Sequence, residues 1–300
     1  MASTGSRIDL TTLRVGAILN TASGSCDPSA ETEVDTYLEE AGIALRHVWC
    51  GGPDELAGYF AEAKELKLDV LIVLGGDGTI RSAAELATPE GPYLLPLPGG
   101  TMNVLPKALY GDKPWREVLL ETLEHPVLRN VSSGLVNDEA FYVSAMFGAS
   151  TRIAAAREAI RTGAVGEALT IAQNVLSEAT TQKVTYEFGK KVSGEAETIA
   201  VTCPLVSSAL HAEEAVFEAA AFNIPGVIEA LGLAASAAFG KWRDDANVII
   251  AKADTVRLTS DTAIPAIFDG EQVELSNDVR IEFKPQAFKA VVPESTLLPQ

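Results

Sequence analysis

The stretch Leu71-Ile72-Val73-Leu74-Gly75-Gly76-Asp77-Gly78-Thr79-Ile80 decides how this chain folds. Successive branched apolar residues suit a strand buried on both faces. The glycines after them suit a turn whose backbone N–H groups approach an anion, because a Cβ would block that approach and restrict φ. Ile80, Ala83, Ala84 and Ala87 recur at helical spacing, with Thr79 placed to cap the helix they predict. The local reading is strand, anion-binding loop, helix. An ordinary βα turn needs fewer glycines than these three. The carboxylate among them needs a reason of its own, since phosphate repels it. On this reading Asp77 fits only if it meets a magnesium ion or accepts a proton from an attacking hydroxyl.

Upstream, Arg14 to Leu19 reads as a first strand ending in the loop Asn20-Thr21-Ala22-Ser23-Gly24-Ser25, whose small polar residues suit either nucleotide contact or an ordinary loop. Glu31 to Ala41 suits a helix, Ile43 to Trp49 a strand, and Asp54 to Lys67 a second helix opened by Pro53. Strands separated by helices of this length imply right-handed crossovers and a parallel sheet with ligands at the carboxyl ends. Downstream, Tyr93-Leu94-Leu95-Pro96-Leu97 is a further strand that empties into Pro98-Gly99-Gly100-Thr101-Met102-Asn103. That loop repeats the first one's logic, with Asn103 at a helix N-cap position. Lys107, one turn on, points at phosphate or at solvent. Trp115 to Leu123 is a closing helix, ended by His125-Pro126.

From Val127 the pattern changes to short apolar stretches between turn signals: Val127 to Ser132, Ala140 to Met146, Lys183 to Phe188, Thr198 to Cys203, Ala215 to Ala221, Val248 to Ala251, Thr255 to Leu258 and Val279 to Phe283. This predicts an antiparallel sandwich. Thr151 to Thr180 and Pro225 to Phe239 are helical exceptions, suited to covering the sandwich or lining a groove for an acyl chain. The expected division is an α/β domain over 1–126 and a β-sandwich domain over 127–300, with the last strands free to pack back on the first domain. Ile267-Phe268-Asp269-Gly270-Glu271-Gln272-Val273, judged alone, reads as a hairpin turn on Asp-Gly.

At 47% hydrophobic residues, 300 residues suffice for two cores. The formal net charge of −18 argues against nucleic acid and against simple electrostatic adhesion to anionic membranes. Three cysteines, Cys26, Cys50 and Cys203, sit at no metal-ligand spacing and give no closed disulfide framework, which fits a reducing cytoplasm. The first fourteen residues show no signal-peptide core, and the apolar run from Ala230 to Phe239 is shorter than the ~20 residues that span a bilayer.

Gly75-Gly76-Asp77-Gly78-Thr79, Pro98-Gly99-Gly100-Thr101-Met102-Asn103 and Asp269-Gly270-Glu271, in this order, resemble the diacylglycerol kinase catalytic-domain family, which includes bacterial lipid kinases and sphingosine kinases and is related to NAD kinases. Asn20 to Ser25 corresponds to the family's nucleotide loop, and Val279 to Phe283 through Val291-Val292 resembles its closing strands. The resemblance implies a doubly wound α/β domain binding ATP, a C-terminal β-sandwich domain with covering helices, and a cleft between them. It implies transfer of the γ-phosphoryl group of ATP to a lipid hydroxyl with Mg2+. Gly75, Gly76, Gly78, Thr79, Gly99, Gly100, Thr101 and Asn103 would hold the nucleotide, helped by Asn20 and Ser23. Asp77, Asp269 and Glu271 would share metal binding, by Asp77 and Glu271, with deprotonation of the acceptor. The Asp269 turn thereby shifts from hairpin to site.

The chain also departs from the family. Thr21 stands where proline is usual, Arg81 where asparagine is usual, and the second loop lacks a trailing acid. Pro204 to Glu214 lacks the glycine cluster and the acids that bind a structural magnesium in relatives, Asp244-Asp245 comes too late to replace them, and His211 reads as structural. Two alternatives stand beside the lipid kinase: an NAD-kinase-like enzyme with a soluble acceptor, and a binding protein that has lost turnover. The acidic chain favours a neutral lipid as acceptor. The expected location is cytoplasmic, with peripheral, transient membrane contact at the inner face through Leu231 to Phe239. A homodimer is compatible with the sequence.

Overall fold

The computed structural model describes residues 5–148, 183–211, 214–223 and 242–297. Both predicted long helical stretches, and with them the proposed membrane-contact segment, lie outside the described residues. The chain divides into two compact units, Met1–Ser133 with Lys284–Gln300, and Gly134–Phe283.

The first unit opens with the short strand β1 (Ser6–Arg7) and then alternates strands and helices: β2 (Val15–Asn20), α1 (Ala30–Glu40), β3 (Leu45–Gly51), α2 (Pro53–Glu65), β4 (Val70–Gly75), α3 (Asp77–Leu86) and β5 (Tyr93–Pro98). Two helices follow, α4 (Val104–Tyr110) and α5 (Trp115–Glu124). Four strands form a parallel sheet in the order β3-β2-β4-β5. All six residues of β2 and of β4 are buried, as a strand covered on both faces by crossover helices requires. Each large apolar side chain buried there contributes about 1.5–3 kcal/mol. The connection from β2 leads outward to β3, while β4 lies on the other side of β2. The topological switch point therefore falls between β2 and β4, where ligands of open α/β sheets bind. Thus the loops after Asn20 and after Gly75 flank the crevice.

The chain enters the second unit within β6 (Pro126–Val136) and leaves it within the long strand β17 (Asp278–Pro293). In the first unit, Ser6 pairs with Leu128 and Arg7 with Val127, and Ala290 of β17 pairs in parallel with Leu94. That single pair on β5 reflects Pro96, which has no N–H to extend the ladder.

The second unit is antiparallel throughout: β7 (Glu139–Phe141), β8 (Ser144–Gly148), β9 (Val184–Phe188), β10 (Val192–Ala196), β11 (Thr198–Thr202), β12 (Phe217–Phe222), β13 (Val248–Ala253), β14 (Thr255–Thr259), β15 (Ile264–Phe268) and β16 (Glu271–Leu275). One sheet has the order β13-β12-β11-β8-β15-β16. In the other, β14 lies between β9 and the first part of β17, with β10 beyond β9. Phe141, Phe147, Tyr186, Phe188, Phe217 and Phe268 lie in one shared core, all 2% exposed or less. The predicted strand over Ala140 to Met146 is in fact two, broken at Tyr142-Val143 by a contact described below. Strand β10 was not expected, since Val192-Ser193-Gly194-Glu195-Ala196 has little apolar content.

Candidate active site

At the carboxyl edge of β2, β4 and β5, three loops are tied to one another. Asn20 Nδ2 donates to Thr79 Oγ1 (2.8 Å), the Gly76 amide donates to Ser23 Oγ (3.2 Å), and the Ser25 amide donates to the Gly99 carbonyl (2.9 Å). The Gly99 amide donates to the Gly75 carbonyl at 2.9 Å. Trp115 of α5 anchors the first loop from outside through Nε1 to the Ser25 carbonyl (3.0 Å).

Asp77 closes the arrangement. It is the first residue of α3, and its Oδ2 accepts from the Asn103 amide (2.9 Å) while its Oδ1 accepts from the Val104 amide (2.5 Å). The carboxylate thus satisfies two of the open N–H groups at the start of α4 and places negative charge at a positive helix end. This is a third reason for Asp77, beside the metal and the proton expected from sequence. Burial pushes its carboxyl pKa above the ordinary value, against the amides of Val104, Asn103 and Asp77 itself and the nearby charge of Lys107, which lower it. Lys107 lies 3.4 Å from Asp112 on a half-exposed stem.

The glycines are required mainly by the neighbouring loop. A Cβ on Gly99 would lie 2.8 Å from the Gly75 nitrogen, one on Gly100 2.7 Å from the Gly76 Cα, and one on Gly75 2.6 Å from the Thr79 Cβ. Gly76 has room, its nearest neighbour being the Gly100 Cα at 3.7 Å, and Gly24 has nothing within 4 Å. Two further expectations change. Thr79 is not the cap of α3, a position held by Gly76; it sits in the third helical position, 7% exposed, as the acceptor for Asn20. Asn103 occupies the N-cap position of α4 but does not cap it. Its backbone is left-handed (φ 51°), and its side chain turns back on Gly100, accepting from the Gly100 amide and donating to the Gly100 carbonyl, both at 2.8 Å. Asparagine tolerates that backbone better than most residues.

With the amides of Gly76, Gly99 and Gly100 already engaged, the donors left for an anion are others. The N–H groups of Gly24, Thr101 and Met102 have no partner among the described residues, and the start of α3 adds the open amides of a first helical turn. Gly24 lies in the loop that the sequence left open to nucleotide contact, whereas Met102 was missed. Met102, 55% exposed at the loop tip, gave no chemical signal there beyond its place between Thr101 and Asn103.

In the second unit, Asp269-Gly270 forms the two-residue turn between β15 and β16, with φ of 49° and 95°. Positive φ at both residues is the backbone of the tight hairpin turn that Asp-Gly favours. The Asp269 carboxylate also accepts three amides: Tyr142 at Oδ2 (2.6 Å), and Val143 and Ser144 at Oδ1 (2.9 Å each). The Asp269 amide returns a bond to the Ser144 carbonyl at 2.9 Å. This contact is what separates β7 from β8. Glu271 opens β16 on the exposed side of the same turn. Farther along, Glu218, 2% exposed, is held by Ser207 Oγ and by Arg243 through Nε (2.6 Å) and Nη2 (2.9 Å). Although burial works against ionisation, these partners hold its carboxyl below the usual range. His211 is exposed. The three cysteines are free, and burial together with Glu31 pushes the Cys50 thiol up to about 12. Among the described residues, no group of three or more His, Cys, Asp or Glu gathers as a metal cage, and no helix is long and apolar enough to cross a membrane.

Residues 14–136 match the family model of the diacylglycerol kinase catalytic domain. Over 112 residues, 33% of this chain, the sequence is 34% identical to NAD kinase 2 of Parasynechococcus marenigrum (strain WH8102). The match spans only 37% of that relative's length. Two solved structures from Bacillus anthracis str. Sterne share the fold. One, a candidate diacylglycerol kinase, superposes with a TM-score of 0.70 at 18% identity, covering 95% of this chain and 98% of its own. The other, described as a diacylglycerol kinase, gives 0.64 at 16% identity, covering 94% and 98%. The mixed architecture, a parallel α/β sheet followed by antiparallel sheets, is the one these structures have.

Proposed function

From residues 14–136, which match the diacylglycerol kinase catalytic-domain model, we propose an ATP-dependent lipid kinase that passes the γ-phosphoryl group to a hydroxyl of a neutral lipid. The observation that supports it most is the three-loop edge at the switch point, where the amides of Gly24, Thr101 and Met102 and the first turn of α3 offer donors to phosphate oxygens. Phosphoryl transfer depends on positioning and charge neutralisation, so a pre-tied edge that need not reorganise suits it. Asn20, Ser23, Thr79, Gly75, Gly76, Gly78, Gly99, Gly100 and Asn103 build that edge, while Thr101 contacts the nucleotide from it.

The family implies ATP and a divalent metal. Magnesium keeps several waters and takes one or two carboxylates plus phosphate oxygens, so it does not require a dedicated cage. Asp77 fits that role, because each of its oxygens accepts one amide and retains a further lone pair. Magnesium bound there would neutralise charge on the phosphate oxygens. Asp77, Asp269 and Glu271 are the carboxylates from which the proton acceptor for the lipid hydroxyl would come.

Incubation with γ-labelled ATP, magnesium and a lipid extract, followed by partition between organic solvent and water, tests the reading. Label in the organic phase is expected. Label on an aqueous dinucleotide would instead support the NAD-kinase-like reading, which the match to NAD kinase 2 favours. Binding of ATP with no label in either phase would leave a binding protein without turnover.

A further inference from the structure

The strands of the parallel sheet have a second end. At their amino-terminal edge, about 20 Å from the glycine loops along six-residue strands, lies a half-open groove of about 680 Å3. This volume is in the range of small-molecule sites. Its floor is apolar, with Ala63 and Leu68 buried and Leu13 and Leu86 beside them. Pro89 and Pro92 stiffen the turn that forms one wall, and the Tyr93 ring faces the ammonium of Lys289 at 5.8 Å from its centroid.

Charge in the groove contrasts with the rest of the chain. Its lining carries Arg14, Lys64, Lys67 and Lys289 against Asp69, Glu85 and Glu90, an excess of positive charge in a protein of net −18. Arg14 is neutralised by Asp69, which accepts from Nε at 2.9 Å, from Nη2 at 2.8 Å and from the Arg14 amide at 2.8 Å. The three lysines have no ion-pair partner among the described residues. Lys64 and Lys67 are fixed in relation to each other by the turn that ends α2, where the Lys67 amide donates to the Lys64 carbonyl at 3.3 Å and Lys67 adopts φ 47°.

We propose that this groove is a binding site for an amphipathic phosphomonoester, with its head among Lys64, Lys67 and Lys289 and its apolar body along Leu13, Leu86 and the Tyr93 ring. Against Glu85 and Glu90 the three ammonium groups leave the lining net positive, and each offers several N–H donors to the oxygens of a phosphomonoester, whose charge is about −1.5 to −2 at pH 7. Carbon contacts on the floor and the aromatic wall supply what a bare phosphate could not use. The proposal is independent of the kinase reading, since no groove residue belongs to the three loops. The head could belong to a lipid in a bilayer or to a soluble phosphate ester.

The test is calorimetric titration of the full chain, without ATP, with dihexanoyl phosphatidic acid kept below its micelle concentration. Saturable one-to-one binding is expected, weakened about tenfold or more in the double variant Lys64→Gln/Lys289→Gln and unchanged in Asp77→Asn. Inorganic phosphate should bind at least about tenfold more weakly than the amphiphile. Vesicle pelleting separates the two sources. Sedimentation with phosphatidylcholine vesicles containing phosphatidic acid, and not with phosphatidylcholine alone, assigns the head to a membrane lipid. Binding of the monomer without sedimentation assigns it to a soluble ester. Absence of saturable binding, binding undiminished in the double variant, or equal affinity for inorganic phosphate would overturn the proposal. Circular dichroism checks that the variants are folded, and lipid phosphorylation measured in parallel reports separately on the kinase reading.

Discussion

Asp77-Gly78 and Asp269-Gly270 are the same dipeptide in two backbones. The first begins a helix after a parallel strand, and the second turns an antiparallel hairpin. In each, the carboxylate accepts backbone amides from an element far away in sequence: two from the start of α4 for Asp77, three from the connection between β7 and β8 for Asp269. The glycines differ more than the aspartates. Gly270 needs its left-handed backbone, whereas Gly99 and Gly100 are required because two loops touch where a side chain would stand, and Gly75 because its Cβ would meet the Thr79 side chain. A motif of aspartate and glycine can therefore be demanded by the protein's own backbone before any ligand is considered. The chemical role of either carboxylate has to be separated from that demand.

The largest stability effect should come from Asp269→Ala. It leaves three partly buried amides without their acceptor and should cost about 2–4 kcal/mol, measured by denaturant unfolding. Asp269→Asn keeps one oxygen for Val143 and Ser144 and should cost less. If Asn preserves stability yet abolishes phosphoryl transfer, Asp269 serves the chemistry; if activity follows stability in both variants, it serves the turn.

Next is Gly99→Ala, whose methyl would meet backbone 2.8 Å away that cannot rotate aside. A loss of about 1–3 kcal/mol together with ATP affinity is expected, by the cost of overpacking. Retained stability would mean that the two loops are less closely joined than described.

Asp77→Asn is expected to cost about 1–2 kcal/mol, because the amide group offers one acceptor where two amides need one each. Its pH dependence has a definite sign. With the carboxyl pKa raised in the folded state, the native protein binds the proton more readily than the unfolded chain, so its relative stability rises as pH falls through that pKa. The difference in melting temperature between wild type and Asp77→Asn should therefore widen in favour of wild type between pH 7 and pH 4. Asp27 and Asp69, both held near 2 by arginine or hydroxyl partners, are common to both proteins and cancel. A narrowing difference would contradict the assigned direction.

The smallest effect on stability belongs to Gly76→Ala, under about 0.5 kcal/mol, since the nearest atom to the new methyl is 3.7 Å away. If ATP binding nevertheless weakens sharply in this variant, Gly76 is the glycine of the loop that serves the ligand. Unchanged binding would mean that neither loop packing nor the ligand requires a glycine at position 76.

Much of the first unit could be read from residues 71–80, because strand, turn and helix are local patterns and β4 is buried along its whole length. The hairpin at Asp269 was readable for the same reason. The ties that make the site were not. Asp77 meets Val104 across 27 positions, and Ser25 meets Gly99 across a sheet edge, so no periodicity announces them. Thr79 and Asn103 illustrate the limit. Both have the right residue type for a cap, and both were claimed instead by other partners, Thr79 by the distant Asn20 and Asn103 by Gly100 within its own loop. The break between β7 and β8 has its cause in Asp269, more than 120 residues later, and could not be seen from Ala140 to Met146 themselves.

Strand β17 carries one more consequence. Ala290 completes a ladder with Leu94, the Glu294 amide caps the His125 carbonyl, and the Tyr110 hydroxyl reaches the Val291 carbonyl at 3.3 Å. The second unit is thus inserted into the first. During synthesis the parallel sheet must wait, unfinished, while some 150 residues of the insertion are translated, at about 5–20 residues per second. The earliest unit in the gene is the last to be completed on the ribosome.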